Sequence, residues 1–143
     1  MDAAYREQFL KEVNLLDNVT WHGLLDLRTN EGYDTLASYH AMLFQTFHPS
    51  EGFAGVFIDA FIAALPVLAS DWAHNAEAIT DGRQGIIYPV HDVEALMNVM
   101  EKCILGQVNL QAMARNARAD ASKYEAKNAL SEDYLTSIGI IEE

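Results

Sequence analysis

Between Glu51 and Ser70 the chain reads EGFAGVFIDAFIAALPVLAS. One carboxylate, Glu51, stands in a loop after the apolar run MLFQTF. Gly55 opens the next helical stretch, and a second carboxylate, Asp59, lies a little over one turn into it. A short apolar run with the character of a buried strand follows. These residue types in this order suit a sugar joined to a phosphate. Backbone N–H groups at a helix start attract phosphate oxygens, whereas carboxylates accept hydrogen bonds from the hydroxyls of a sugar ring or a ribose. Each residue also has a plainer reading. Glu51 can be a solvated loop acid and Gly55 a turn glycine, while Asp59 near a helix start gains about 0.3–1 kcal/mol from the helix dipole.

The elements that must position these residues are legible from hydrophobic period. Tyr5, Phe9, Val13 and Leu16 recur at helical spacing until Asn18 interrupts them, and the β-rich run 19–21 follows. A helix is then predicted over 33–40, a strand over 42–47, a helix over 55–64, a strand over 66–69, a short helix over 75–80 and a strand over 85–88. Strands alternating with helices predict an α/β fold, a Rossmann-like parallel sheet flanked by helices. Ligands bind outside the carboxyl ends of such strands, so Glu51, Gly55 and Asp59 are expected to converge there. Beyond Pro89 the pattern is helical throughout. Val93, Leu96, Met97, Met100 and Cys103 form one apolar stripe, and Leu110, Met113, Ala114, Ala117, Ala121 and Tyr124 a second. Leu130, Tyr134 and Ile138 suggest a third, and Gly106 separates the first two.

Composition narrows the possible partners. The chain has 143 residues, half of them hydrophobic, enough for one core rather than two full domains. Nine Lys and Arg against 21 Asp and Glu leave a net charge of −12, which disfavours nucleic acid and anionic lipid surfaces. No apolar run approaches the roughly 20 residues that span a bilayer. Cys103 is the one cysteine; it cannot form an internal disulfide, fits a reducing cytosol and is expected to be inert core. His22, His40, His48, His74 and His91 show no zinc or iron spacing, so no metal is expected. The chain has no Gly-x-Ser-x-Gly turn, no phosphate loop ending in Gly-Lys-Ser or Gly-Lys-Thr, and no dinucleotide fingerprint.

Several short segments together resemble the nucleotide-binding half of a family 4 retaining glycosyltransferase of the GT-B type, also described as glycosyl transferases group 1. Glu51, seven residues, Asp59, then Ala60, Ala64, Pro66, Val67, Ser70 and Asp71 follow the family's Glu-x7-Glu and Gly-x-Pro-Val segments in order. Asn75, Glu77, Ile79, Asp81, Gly82 and Gly85 resemble its Glu-Ile-Val-x-Asp-Gly-x-x-Gly segment, and Asn18 to Gly23 its Val-x-Phe-x-Gly strand. The match covers about residues 5–125. Asp59 departs from the usual glutamate, drawing its carboxylate back by roughly 1.5 Å. Ala64 departs from the usual glycine at a close helix-to-strand contact, where one methyl is expected to fit.

The resemblance implies hexosyl transfer from a nucleotide-sugar to a polysaccharide or glycoconjugate acceptor, with retention at the anomeric carbon and no cofactor or metal. The donor would be a UDP-, GDP- or ADP-sugar. Glu51 would be the catalytic carboxylate, orienting the donor sugar. Phe53, Ala54, Gly55 and Val56 would meet sugar and phosphate, and Asp59 the ribose. His22, Asp71, Asn75 and Glu77 are lesser candidates, with capping of the helix after strand 66–69 as the plainer reading for Asp71 and Asn75. The family's first two strands and its Gly-Arg-Leu-x-x-x-Lys-Gly segment, whose Arg and Lys hold the diphosphate, have no counterpart here. The chain is therefore expected to be a partial carboxy-terminal domain of a cytoplasmic two-domain enzyme. Any contact with the inner face of the membrane would be made by the absent amino-terminal domain. The competing reading is a non-catalytic binding or oligomerisation module, self-associating through open strand edges.

Overall fold

The computed structural model describes residues 3–140; Met1, Asp2 and residues 141–143, the ends of the expected 1–143 domain, lie outside the described residues. The chain divides into two compact units, Met1–Gly32 and Tyr33–Glu143. The first holds α1, Ala3–Val13, whose one buried residue is Val13. The predicted strand 19–21 does not form: residues 19–26 have no regular structure. Trp21 instead meets Phe9 edge to face, ring centroids 5.7 Å apart. A strand is stable only in a ladder, and β-rich composition does not create one. α2, Asn30–Ala37, begins at the end of this unit.

In the second unit β1 (Met42–Phe44), β2 (Val67–Ser70) and β3 (Gly85–Tyr88) form a parallel sheet in the order β1-β2-β3. Met42 pairs with Val67, and Val67 with Gly85. β1 stops three residues short of the predicted end. The central strand β2 is buried at every position, as a strand covered on both faces must be. α3 (Val56–Ile62) joins β1 to β2, and α4 (Asn75–Ala78) lies between β2 and β3. α5 (Val93–Ile104), α6 (Leu110–Ala121), a 3-10 turn (Ser122–Tyr124), α7 (Ala126–Ala129) and α8 (Glu132–Ser137) follow.

The core lies between the sheet, α3 and α6. Phe57 and Phe61 of α3 pack with Leu65, Val67, Ala69 and Ile79 and with Ala117 and Ala121 of α6. Burying each phenylalanine contributes about 1.5–3 kcal/mol. The alanines of α6 let the two helices approach closely. The stripe on α5 behaves differently, because no residue of α5 is buried: Val93 is 68% and Met97 63% exposed. Cys103, expected in the core, is half-buried, and that burial raises its thiol pKa. The third stripe is also open, with Leu130, Tyr134 and Ile138 exposed.

The segment around Asp81 proves to be turn chemistry. Gly82 has φ +75°, and Gly85 lies so close to the Val67 carbonyl and the Ile79 side chain that a β-carbon would collide with both. Asp81 Oδ1 accepts from the Ile87 N–H at 2.9 Å, and the Gly82 N–H donates to the Gly85 carbonyl at 2.9 Å. The turn thus covers the free edge of β3.

Candidate functional site

The loop that leaves the carboxyl end of β1 carries Glu51 and leads into α3. A chain of hydrogen bonds holds it to the carboxyl end of β2. Buried Asn75 donates from Nδ2 to the Ser70 carbonyl at 2.9 Å, Ser70 Oγ donates to the Thr46 carbonyl at 2.8 Å, and Thr46 Oγ1 donates to Glu51 Oε2 at 3.1 Å. Trp72 Nε1 adds a bond to the His48 carbonyl at 2.9 Å, and the Glu51 N–H closes onto that same carbonyl at 3.0 Å. Glu51 is half-buried, so one carboxylate oxygen is held while the group stays reachable. Such anchoring reduces the entropy lost when a carboxylate must sit still to orient a ligand.

Beyond Glu51 the loop turns into α3. Phe53 is exposed, with its ring edge to face with Phe57 at 6.4 Å and tilted against Tyr124 at 5.7 Å. Ala54 is buried, and Val56 is half-buried. Gly55 caps α3 with φ −54°, an ordinary helical value, and a β-carbon there would meet nothing within 4 Å. Neither backbone strain nor crowding within the protein requires glycine at this position; the space in front of the helix start is simply open. Asp59 lies in the first turn of α3, half-buried, and its Oδ1 accepts from Tyr33 Oη of α2 at 2.6 Å.

The lesser candidates separate. Asn75 is wholly buried and does not cap α4, whose cap residue is His74 and makes no side-chain bond to the helix's backbone N–H groups; Asn75 instead supports the end of β2 through Ser70. Glu77 is exposed and pairs with His74 Nδ1 at 2.9 Å. Asp71 is exposed at the end of β2, its backbone N–H bonded to the Tyr88 carbonyl at 2.7 Å rather than its side chain serving as a cap. His22 belongs to the first unit, where it is exposed. Arg83, the arginine nearest the motif in sequence, is committed to the buried Asp120 of α6 through both terminal guanidinium nitrogens, Nη1 and Nη2. It anchors α6 rather than offering a free guanidinium. Among the described residues no group of three or more His, Cys, Asp or Glu side chains is arranged to hold a metal.

Ala64, at the end of α3, has φ +55°. The Leu65 N–H bonds to the Ala60 carbonyl at 2.8 Å and the Ala64 N–H to the Phe61 carbonyl at 3.0 Å, which together make a Schellman helix end. The position favours glycine because of its left-handed backbone, not because a strand lies too close. Sequence reasoning also missed Tyr33, Thr46 and Tyr88. Thr46, Phe47, Ser70, Tyr88 and His91 line a cavity of about 200 Å³ at the carboxyl ends of the strands. Phe47 and His91 rings stand 4.9 Å apart, and the buried Tyr88 hydroxyl has no protein hydrogen-bond partner. In the sequence, Thr46 and Tyr88 are ordinary members of strand runs and Tyr33 of a helix run, so no local signal marks them.

Several known proteins resemble this chain in sequence or in fold. Over 75 residues the chain is 36% identical to a D-inositol 3-phosphate glycosyltransferase of Gordonia bronchialis, a stretch covering 52% of this chain and 16% of that protein. The fold superposes on Anabaena HepE in complex with UDP at a TM-score of 0.73 and 22% identity, over 94% of this chain and 36% of that one. A sucrose-phosphate synthase of Thermosynechococcus elongatus gives 0.73 at 20% identity, over 94% and 33%. These structural neighbours are GT-B glycosyltransferases, and the chain spans about a third of their length. The sequence profile of the glycosyl transferases group 1 matches residues 2–105, and this chain belongs to that family.

Proposed function

We propose that this chain carries the donor site of a family 4 retaining hexosyltransferase, working with an amino-terminal domain that supplies the acceptor side. The observation that carries the reading is the anchored Glu51 on the loop between β1 and α3, followed by Asp59 in the first turn of that helix. Glu51 would accept from the donor-sugar hydroxyls and fix the anomeric carbon against the attacking acceptor hydroxyl. Phe53, Ala54, Gly55 and Val56 would border sugar and phosphate, and Asp59 would accept from the ribose. HepE, crystallised with UDP and with UDP-glucose, supports a nucleotide-sugar as the donor class. The acceptor would be a growing polysaccharide or another glycoconjugate, the site cytoplasmic and the chemistry free of metal. Catalysis would then rest on positioning and charge stabilisation.

Binding by the chain alone should be weak. A dissociation constant of 1 mM requires about 4.1 kcal/mol. A helix start contributes about 0.3–1 kcal/mol when exposed, each hydroxyl bond adds about 0.5–1.5 kcal/mol and somewhat more where the acceptor is charged, and Arg83 is engaged with Asp120. Titration calorimetry with UDP-, GDP- and ADP-sugars is therefore expected to give millimolar or weaker affinity and no sugar transfer. In the longer enzyme, Glu51→Gln is expected to lower transfer by roughly 10²–10³-fold. Micromolar binding by this chain, or full activity of the variant, would overturn the reading. The open outer edge of β1 and the exposed face of α5 favour a second reading, a non-catalytic module that associates through those surfaces.

A further inference from the structure

The hydrogen bond from Tyr33 Oη to Asp59 Oδ1, 2.6 Å long, joins residues 26 apart in sequence. It lies at the amino-terminal ends of α2 and α3, and both side chains are half-buried, open on one side to solvent. A phenolic hydroxyl has one proton and two lone pairs. With the proton directed to the carboxylate, the oxygen is left as an acceptor, and donation to an anion strengthens the bond it can accept in turn. We propose that Tyr33 and Asp59 together read the two ribose hydroxyls: Asp59 Oδ2 accepts from one, and Tyr33 Oη accepts from the other. The inference rests on the ribose reading of Asp59.

Two observations favour a shared reader over a lone carboxylate. Tyr33 already engages one oxygen of Asp59, so a diol approaching both carboxylate oxygens would have to share or displace that bond. The arm of aspartate is also shorter than that of glutamate, and the tyrosine oxygen, 2.6 Å from Asp59 Oδ1, adds a second acceptor beside the carboxylate. The same bond raises the Tyr33 pKa above its usual value, so the phenol keeps its proton through the neutral range. Tyr33 is thus a determinant of ribose against deoxyribose, a role distinct from simply tying α2 to α3.

NMR titration of the chain with UDP, GDP and ADP and their 2′-deoxy and 3′-deoxy counterparts tests this, because it reads millimolar affinities. The unaltered chain is expected to prefer the ribonucleotides. Tyr33→Phe keeps the ring and should weaken ribonucleotide binding by roughly 2- to 12-fold, leaving one of the two deoxy forms unchanged, so that preference against that form collapses. Amide-resonance dispersion of each variant reports that it remains folded. If Asp59→Asn loses the ribose preference while Tyr33→Phe keeps it, Tyr33 is only a tie between helices and the inference fails with the ribose reading intact. If Asp59→Asn also keeps the preference, or the unaltered chain binds none of the nucleotides, the ribose reading fails and takes the inference with it. Asp59→Glu supplies the second variant: the longer arm should restore preference to Tyr33→Phe, which a packing defect would not permit.

Discussion

At the residue scale, the ion pair between Arg83 and Asp120 governs acid stability. Arg83 hydrogen bonding, assisted by Lys123 2.9 Å away, holds the Asp120 carboxyl below the usual carboxylate range, against the opposing effect of its burial. A carboxyl whose pKa is lower in the folded state favours folding while ionised. Its contribution is fully present above the unfolded pKa of about 3.9 and is lost as pH falls below that value toward the folded one. Asp120→Asn is therefore expected to lower the melting temperature at pH 7, with the gap from the unaltered chain closing as pH falls through the carboxylate range. Thermal melts across that range check it, and a gap that stays constant with pH would show that Asp120 contributes packing rather than charge.

At the element scale, the end of α3 carries a removable cost. An L-residue in the left-handed region is disfavoured by about 1–2 kcal/mol, and glycine avoids this at a backbone-entropy cost of about 0.5–1 kcal/mol. Ala64→Gly should therefore stabilise the fold by up to about 1 kcal/mol, read as a higher denaturation midpoint with unchanged slope. Ala64→Val, branched at the β-carbon, should destabilise it. Equal stability of all three forms would mean that the Schellman end relaxes freely. The helix end bears on the Glu51 loop because β2 follows it directly and brings Ser70 to Thr46, the contact that holds that loop.

At the scale of the whole molecule, the two outer edges of the sheet are unlike. The turn at Asp81 and Gly82 covers β3, whereas among the described residues no strand pairs with the outer side of β1. Beside β1, Leu43, Met100, Cys103, Ile104 and Leu110 border an apolar groove of about 440 Å³ that continues onto the open face of α5. Open edges and apolar faces recruit partners. The chain alone is expected to self-associate, more strongly as salt screens the repulsion of its net charge of −12. Light scattering over a concentration and salt series measures this. Met97→Glu with Ile104→Glu should return the monomer, and an unaltered chain that stays monomeric at every salt concentration would refute the expectation.

The sequence by itself determined the features that repeat locally. Hydrophobic patterning located β3 to the residue and α3 to within two residues, whereas the turn before β3 was visible only as part of a family resemblance. Glu51 and Asp59 stood out as candidates because a loop carboxylate, a helix start and a second carboxylate lie within nine residues of one another. Tertiary structure alone decided what each element meets. The 19–21 run has strand composition and no ladder, and the α5 stripe has a helical period yet touches the sheet only in part, leaving Val93 and Met97 exposed, since period reports which residues share a face and not what lies against it. Tyr33 with Asp59, Arg83 with Asp120, and Asn75 supporting Glu51 through Ser70 and Thr46 join positions whose spacing carries no pattern. Such contacts depend on how the chain closes between distant segments, and only the packed α3, α6 and sheet set those distances.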